Sequence, residues 1–138
     1  MGLNYTAVDQ TLEVTARRIS RGQCFVAAEG ARLVGTIVVE PTDRESPCEY
    51  FATEGVASAH RLAVAPVNQD RGLGVRLLEC AEAWARDRGL RELAIDTAEP
   101  AHRLRSFYER LGYRHVGSVQ WGKVYRSVVL SKELKHAA

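Results

Sequence analysis

The chain has 138 residues, of which 46% are hydrophobic, 26% are charged and 7% are aromatic. This balance is typical of one globular domain with a buried core, and two independent domains would not fit in this length. The apolar runs are only a few residues long and no signal-peptide pattern opens the chain, so we expect neither a membrane-spanning nor a secreted protein.

The formal net charge is only +2, which argues against a nucleic-acid-binding domain. Residues 1–56 carry 5 basic and 8 acidic side chains, whereas residues 57–138 carry 14 and 9. A basic half suits a phosphate-bearing ligand, and an acidic half suits a cationic one. The cysteines at positions 24, 48 and 80 lack zinc-site spacing, so we expect no metal site. Because they lie far apart and three cannot all pair, we expect the protein in the reducing cytoplasm.

Hydrophobic periodicity and turn residues predict the elements in chain order. They are a helix over residues 8–19, strands over 24–29 and 33–40, a loop over 42–55, a strand over 56–65, a helix over 72–88, a strand over 91–96, a helix over 100–111, and strands over 113–119 and 123–131. Antiparallel hairpins at both ends with a β-α-β unit between them predict an α+β fold, with a mixed, mostly antiparallel sheet of about six strands flanked by helices.

The turn at residues 66–74 joins an apolar strand to the start of a helix. Such a start exposes unpaired backbone N–H groups and the positive end of the helix dipole, which together bind anions. Gly72 and Gly74 leave the backbone open to a phosphate, and Arg71 and Arg76 add positive charge, although a tight turn with close helix packing fits the same residues. A Walker loop is excluded because no Lys-Ser/Thr follows the second glycine.

Two motifs carry a resemblance to a known family. Residues 62–74 match L-x-V-x-P-x-x-Q-x-x-G-x-G, which closely resembles the acetyl-coenzyme-A signature of the GNAT superfamily of N-acetyltransferases. Residues 107–113 match F-Y-x-x-x-G-[FY], which resembles the end of the last helix of that fold. The motifs have the family's order and spacing, and the resemblance covers about residues 24–132.

The resemblance implies a splayed cleft between the strands at residues 56–65 and 90–96, in which the pantetheine arm of acetyl-CoA lies. Backbone groups of Leu62 and Val64 would hold that arm. A run of residues would wrap the pyrophosphate, chiefly through backbone N–H groups: Gln69, Asp70, Arg71, Gly72, Leu73, Gly74 and Val75. The implied reaction is direct attack on the thioester by a primary amine of a small molecule or peptide, in a ternary complex.

The family role of general acid toward the leaving thiolate falls on Tyr108, although a tyrosine on an apolar helix stripe also fits a core position. Many members place a glutamate where this chain has Ser58, so the usual carboxylate is absent. His60, on the same strand face by period-two alternation, is our candidate base. A structural role for His60 stays open, with Glu54, Glu49 or an ordered water as alternative bases.

Further departures from the family pattern keep a second function open. Ala101 stands where an asparagine is common, and about seven residues precede the first predicted helix in place of a strand and two helices. The alternative is a coenzyme-A-binding domain with little or no catalysis, acting as a sensor or in an assembly. An uncovered sheet edge would allow a homodimer.

The acceptor is less well defined by the sequence. The loop over residues 42–55 carries four carboxylates with Tyr50 and Phe51, which suits either a cationic amine or a solvated loop. Residues near the last hairpin either form a far wall of the acceptor site or pack beside the turn: Trp121, Lys123, Tyr125 and Arg126.

Overall fold

The computed structural model describes residues 3–7, 12–123 and 125–135, with the backbone alone for residues 3–7, 70 and 71. The described part contains eight strands, one 3₁₀ helix and two α-helices. In chain order they are β1 (Leu3–Ala7), β2 (Leu12–Ile19), β3 (Gly22–Glu29), β4 (Arg32–Glu40), β5 (Val56–Val64), the 3₁₀ helix (Pro66–Arg71), α1 (Leu73–Asp87), β6 (Glu92–Ala98), α2 (His102–Arg110), β7 (Arg114–Trp121) and β8 (Tyr125–Glu133). The predicted α+β class is confirmed, with eight strands in place of about six.

The predicted helix over residues 8–19 is wrong, because residues 12–19 form strand β2. Strand β2 pairs antiparallel with β3 along its whole length. Leu12, Val14 and Ala16 are buried while Glu13 is exposed, so the apolar side chains alternate with period two. Hydrogen bonds between the backbone N–H and C=O groups of β2 and β3 favour the strand, and this pairing outweighs the helical spacing of the apolar residues. The predicted start of that helix, at residues 8–9, lies outside the described residues.

The other predicted elements are confirmed with small shifts at their ends. A turn at residues 30–31 joins β3 and β4, and residues 41–55 contain no helix or strand. Gly89 and Gly112 follow the two α-helices with φ of 76° and 97°, a conformation that suits glycine at a helix end. None of the described helices is long and apolar enough to cross a membrane.

The chain divides into two compact units, of which the first comprises Met1–Glu40 and Ala59–Trp84. Its strands follow the order β1-β2-β3-β4, with the second half of β5 next to β4. Helix α1 packs tightly on β4 at Gly35, where a side-chain Cβ would lie 3.0 Å from Leu77 Cδ1 and 3.1 Å from Leu73 Cδ2. The absence of a side chain at Gly35 therefore lets the first turns of α1 approach the sheet.

The second unit comprises Pro41–Ser58 and Ala85–Ala138. The start of β5 is followed in strand order by β6, β8 and β7, and β8 pairs antiparallel with both β6 and β7. The loop over residues 41–55 covers part of this sheet, because its Cys48 and Phe51 belong to a buried cluster with Ala94, Val119 and Val129. The predicted loop is thus an integral part of the core of this unit.

A valine at Gly35 tests the contact between α1 and β4. We expect Gly35→Val to lower the free energy of unfolding by about 1–3 kcal/mol, because the added atoms must displace Leu73 and Leu77. Urea denaturation measures the change. Thr36→Val is the control, since Thr36 contacts Cys24 on the other face of the sheet and should change stability less. Equal stability of Gly35→Val and the wild type would contradict the packing.

Candidate functional site

Strand β5 contains a residue in the left-handed conformation. Arg61 has φ of 57° and is the only non-glycine residue with positive φ in the described part of the chain. Side chains 56–59 are buried, whereas those of residues 60–64 alternate between half-buried and exposed. Such a residue inside a strand costs conformational energy and redirects the side chains that follow, as a bulge does. Leu62 and Val64 lie in this irregular half of β5.

His60 precedes Arg61 and has a carboxylate partner. Its Nε2 lies 3.4 Å from Oε1 of Glu40, the last residue of β4, and both side chains are more than a quarter exposed. A carboxylate beside an imidazole fixes the orientation of the ring. Sequence reasoning proposed His60 and missed Glu40, which is far from it in sequence and carries no local signal.

The end of β5 is tied to the turn that follows. The side-chain amide of Gln69 donates to the carbonyl oxygen of Val64 at 3.2 Å, and the N–H of Ala65 donates to the carbonyl of Val34 at 2.8 Å. Leu62 and Val64 are half-buried. The Gln69 side chain thus holds the junction between strand and turn.

The start of α1 is where a helix generally has backbone N–H groups without acceptors inside the helix. The first described hydrogen bond into α1 runs from the N–H of Arg76 to the carbonyl of Gly72 at 3.1 Å, so the N–H groups of Leu73, Gly74 and Val75 precede it. Gly72 has φ of 76°, and a Cβ built on it meets no atom within 4 Å. The backbone at Gly72 is therefore open to a ligand.

The neighbouring residues of this turn differ in what they can offer. The side chain of Leu73 is fully buried, which leaves its backbone alone to face a ligand. Asn68 is 1% exposed, and neither polar atom of its amide has a hydrogen-bond partner within the described part of the chain. The side chains of Asp70 and Arg71 lie outside the described residues.

Tyr108, on α2, is held in an aromatic environment in the second unit. It is 6% exposed and makes edge-to-face contacts with Phe107 at 5.3 Å and with Tyr113 at 5.9 Å between ring centroids. Burial, together with the negative charge of Asp96, raises the pKa of Tyr108 to about 12. The phenol is therefore protonated throughout the neutral range and can donate a hydrogen bond.

Asp96 is a residue beside Tyr108 that sequence reasoning missed. Its Oδ2 accepts a hydrogen bond from Trp121 Nε1 at 3.0 Å, and the same indole N–H lies 3.2 Å from the hydroxyl of Ser127, which is fully buried. Trp121, expected near an acceptor wall, thus fixes the carboxylate that acts on Tyr108. The one local signal was an acidic residue in the middle of a strand, on the face opposite the buried Leu93 and Ile95.

The loop over residues 41–55 is anchored by a second carboxylate. The Tyr50 hydroxyl and the Ser131 hydroxyl both donate to Oε1 of Glu92, the latter at 2.8 Å. Burial and the bond to Glu92 raise the pKa of Tyr50, so this hydrogen bond persists at neutral pH. Of the other residues expected near an acceptor, Lys123 and Tyr125 are exposed, and Arg126 contacts Glu99 at 3.4 Å.

The predicted site residues therefore fall into two groups. The first unit gathers His60, Leu62, Val64 and the turn from Gln69 to Val75, and the second unit holds Tyr108 beside Asp96. The first group offers an open backbone at the start of α1 and an imidazole on β5. The second offers a buried phenol that stays protonated.

The family model described as "Acetyltransferase (GNAT) family" matches residues 4–113. Because this match covers most of the chain, the protein belongs to the GNAT family and is an acetyltransferase.

Individual relatives agree with this assignment. S-(2-succino)cysteine N-acetyltransferase of Bacillus subtilis (strain 168) is 28% identical over 99% of this chain and 81% of its own length. A GNAT-family acetyltransferase of Desulfovibrio desulfuricans superposes with a TM-score of 0.69 at 26% identity, covering 83% of this chain and 70% of that one. A GNAT acetyltransferase of Elizabethkingia anophelis, solved with acetyl-CoA bound, has the same fold. The two superpose with a TM-score of 0.71 at 16% identity, covering 91% of this chain and 100% of that one.

The raised pKa of Tyr108 predicts a stability change at alkaline pH. A tyrosine titrates near 10.0 when unperturbed and Tyr108 at about 12, so the native state holds this proton more tightly. The contribution of the Tyr108 proton to the free energy of unfolding is complete below pH 10 and is lost as the pH rises through 12. The free energy of unfolding should therefore fall less steeply over this pH range in Tyr108→Phe than in the wild type. Some fall should remain in the variant, because the pKa of Tyr50 is also raised.

Urea denaturation at a series of alkaline pH values measures these slopes. Tyr125→Phe is the control, because Tyr125 is 49% exposed and its removal should leave the wild-type slope unchanged. A Tyr108→Phe slope equal to that of the wild type would show that Tyr108 titrates as an ordinary tyrosine.

Proposed function

We propose that this acetyltransferase moves an acetyl group from acetyl-CoA to a primary amine of a small molecule, by direct attack in a ternary complex. The observation that carries the proposal is Tyr108, a buried phenol held in its protonated form beside Asp96. A group of this kind serves a reaction that expels a thiolate, because the leaving sulfur takes up a proton. When bound, acetyl-CoA supplies the acetyl thioester.

The first unit offers a fitting place for the phosphates of the cofactor. Space for them is supported by Gly72, which has no atom within 4 Å of its missing Cβ. The N–H groups of Leu73, Gly74 and Val75 would donate to phosphate oxygens, and the dipole of α1 favours negative charge there. Backbone groups of Leu62 and Val64 would hold the pantetheine arm, with Gln69 fixing the end of that strand through the Val64 carbonyl.

The acceptor must lose a proton before it attacks. An alkylamine with a pKa of about 10.4 is neutral in roughly one molecule in a thousand at pH 7, which adds about 4–5 kcal/mol to the barrier. We assign the role of general base to His60, oriented by Glu40 at 3.4 Å, since Ser58 stands where many relatives have a glutamate. Tyr108 donates its proton to the thiolate sulfur as general acid.

A small-molecule amine is our assignment for the acceptor. The Bacillus subtilis relative is named for S-(2-succino)cysteine, so this compound is the first acceptor to test. The cysteines Cys24, Cys48 and Cys80 are unpaired with one another, which fits a reducing compartment, and we assign the protein to the cytoplasm. Homodimerisation stays a prediction.

Ligand-dependent thermal stability tests the cofactor site. We expect acetyl-CoA and CoA, but not ATP, to raise the melting temperature, because ligand at 100 times its Kd adds about 2.7 kcal/mol of stability. Gly72→Asp and Gly72→Asn form a matched pair, since both side chains tolerate the left-handed backbone and only Asp adds negative charge. The shift should disappear in Gly72→Asp and persist in part in Gly72→Asn. An undiminished shift in Gly72→Asp would refute the phosphate assignment.

Steady-state kinetics with acetyl-CoA and an accepted amine test the acid and the base. Tyr108→Phe should lower kcat by about 10²–10⁴-fold while the acetyl-CoA thermal shift is kept, because a general acid contributes about this much. His60→Gln should also lower kcat by about 10²–10⁴-fold, because a general base contributes about this much. The controls are Tyr113→Phe, which also loses a buried hydroxyl, and His102→Gln, at an exposed position on α2.

The outcomes separate the candidate functions. Unchanged kcat in Tyr108→Phe would remove Tyr108 from the mechanism, and unchanged kcat in His60→Gln would pass the base role to another group or to water. Binding of acetyl-CoA without acetyl transfer to any amine would favour a coenzyme-A-binding sensor.

A further inference from the structure

The turn between β5 and α1 places a polar side chain inside the protein and an apolar one outside. Asn68 is 1% exposed, whereas its neighbour Val67 is 73% exposed, and both belong to the 3₁₀ helix Pro66–Arg71. Folded proteins usually bury the valine and expose the amide, so this arrangement is the reverse of the common one. We call residues 66–71 the inverted turn.

The buried amide of Asn68 has incomplete hydrogen bonding. Its backbone N–H donates to the carbonyl of Ala65 at 2.8 Å, but neither polar atom of the side chain has a partner among the residues that the structure describes. Removing an amide from water without replacing its hydrogen bonds costs free energy, and nearly all buried amides in native proteins are bonded. A ligand that accepts a hydrogen bond from this side chain would remove part of that cost.

The inverted turn lies between two fixed points. Before it, the N–H of Ala65 donates to the carbonyl of Val34 in β4 at 2.8 Å, and after it, Leu73 is fully buried at the start of α1. A 3₁₀ helix of six residues is longer than most, because its hydrogen bonds are poorer than those of an α-helix. Gly72 has positive φ and open space around it, so the backbone can reorient at this junction. The turn can therefore change conformation while β5 and α1 stay in place.

The surroundings of the inverted turn favour a phosphate as the partner of the Asn68 amide. The amide NH₂ group carries two donors, and hydrogen bonds to an ionised phosphate oxygen are stronger than those between neutral groups. The N–H groups at the start of α1, directly after the turn, favour the same anion. The side-chain amide of Gln69 already donates to the carbonyl of Val64. Asn68 therefore carries the amide of this turn that is available to a ligand.

We propose that the inverted turn has two arrangements, and that Asn68 leaves the interior when acetyl-CoA binds and donates its side-chain amide to the pyrophosphate of the cofactor. The inference rests on the proposed function and deepens it, because it adds a side-chain contact to the backbone N–H groups assigned to the phosphates. The cofactor favours the second arrangement because it bonds Asn68 only there. The buried amide thus lowers the stability of the free protein and is satisfied in the complex.

Two substitutions separate the amide of Asn68 from its packing. Asn68→Leu keeps the number of heavy atoms in the side chain, whereas Asn68→Ala leaves a gap, and both remove the amide. We expect both variants to bind CoA about tenfold or more weakly than the wild type, because each loses a hydrogen bond to a charged group. Dephospho-CoA keeps the pyrophosphate and should lose affinity by the same factor. Calorimetric titration measures both affinities.

The stability of the free protein should change in the opposite direction. We expect Asn68→Leu to raise the melting temperature without ligand by about 3–10 °C, because it removes a buried polar group that has no partner. Gln23→Leu is the matched control for affinity. It removes a half-buried amide of the same unit, opposite Val39 and therefore toward the other end of β4 from Val34. It should leave the affinity for CoA unchanged.

Nuclear magnetic resonance tests the movement of Asn68 itself. The side-chain amide signals of Asn68 are identified in isotope-labelled protein by their absence from Asn68→Leu. They should move downfield when dephospho-CoA is added, because a hydrogen bond to phosphate forms in the complex.

Weaker binding of CoA and dephospho-CoA by both Asn68 variants, with wild-type affinity in Gln23→Leu, supports the proposal. It is overturned if the variants bind dephospho-CoA as the wild type does, if Asn68→Leu is less stable than the wild type without ligand, or if the Asn68 amide signals do not move. In these three cases the proposed function stands. A wild type that binds neither CoA nor dephospho-CoA would refute the proposed function and this contact together.

Discussion

The close approach of α1 to β4 is the contact on which the cofactor half of the site depends. Gly35 removes the side chain that would separate them, so Leu73 and Leu77 reach the strand. Leu73 is also the first residue of α1, next to the open backbone at Gly72. The packing that builds the core of the first unit therefore also fixes where the N–H groups at the start of α1 are placed. Folding and the proposed phosphate binding share the same residues here.

In the second unit, several interactions depend in the same way on Asp96. A half-buried carboxylate is costly unless it is bonded, and the indole N–H of Trp121 supplies one partner for it. In return its charge helps to raise the pKa of Tyr108. One acidic side chain thus connects the proposed general acid and its aromatic support within a single unit.

Much of the fold could be predicted from the sequence because turns and periodic apolar positions are local signals. The glycines after α1 and α2 and the strands on either side of residues 30–31 are examples. The helix predicted over residues 8–19 failed because the partner of β2 lies in β3, and pairing between strands is decided by tertiary contacts. Local helical spacing carries no information on that partner.

The site was predictable to the extent that its residues are contiguous. The turn from Gln69 to Val75 and the Phe107-Tyr108 pair stand in motifs, so their positions could be named in advance. Glu40 and Asp96 act only through residues distant in sequence, and their partners are set by how the strands pair. The charge of the loop over residues 41–55 was visible in the sequence, but its attachment through Tyr50 to Glu92 needed the structure.

The extra residue in β7 also affects how the protein behaves in concentrated solution. Strand β7 is the last in the strand order of its unit, and such a strand presents backbone groups to which another chain can add. The shift between His115 and Gly117 breaks its regular hydrogen-bonding pattern, and the His115 ring lies 2.9 Å from the Gly117 carbonyl. A foreign strand would find no continuous ladder of hydrogen-bonding groups there, so this bulge protects the edge of the sheet against aggregation.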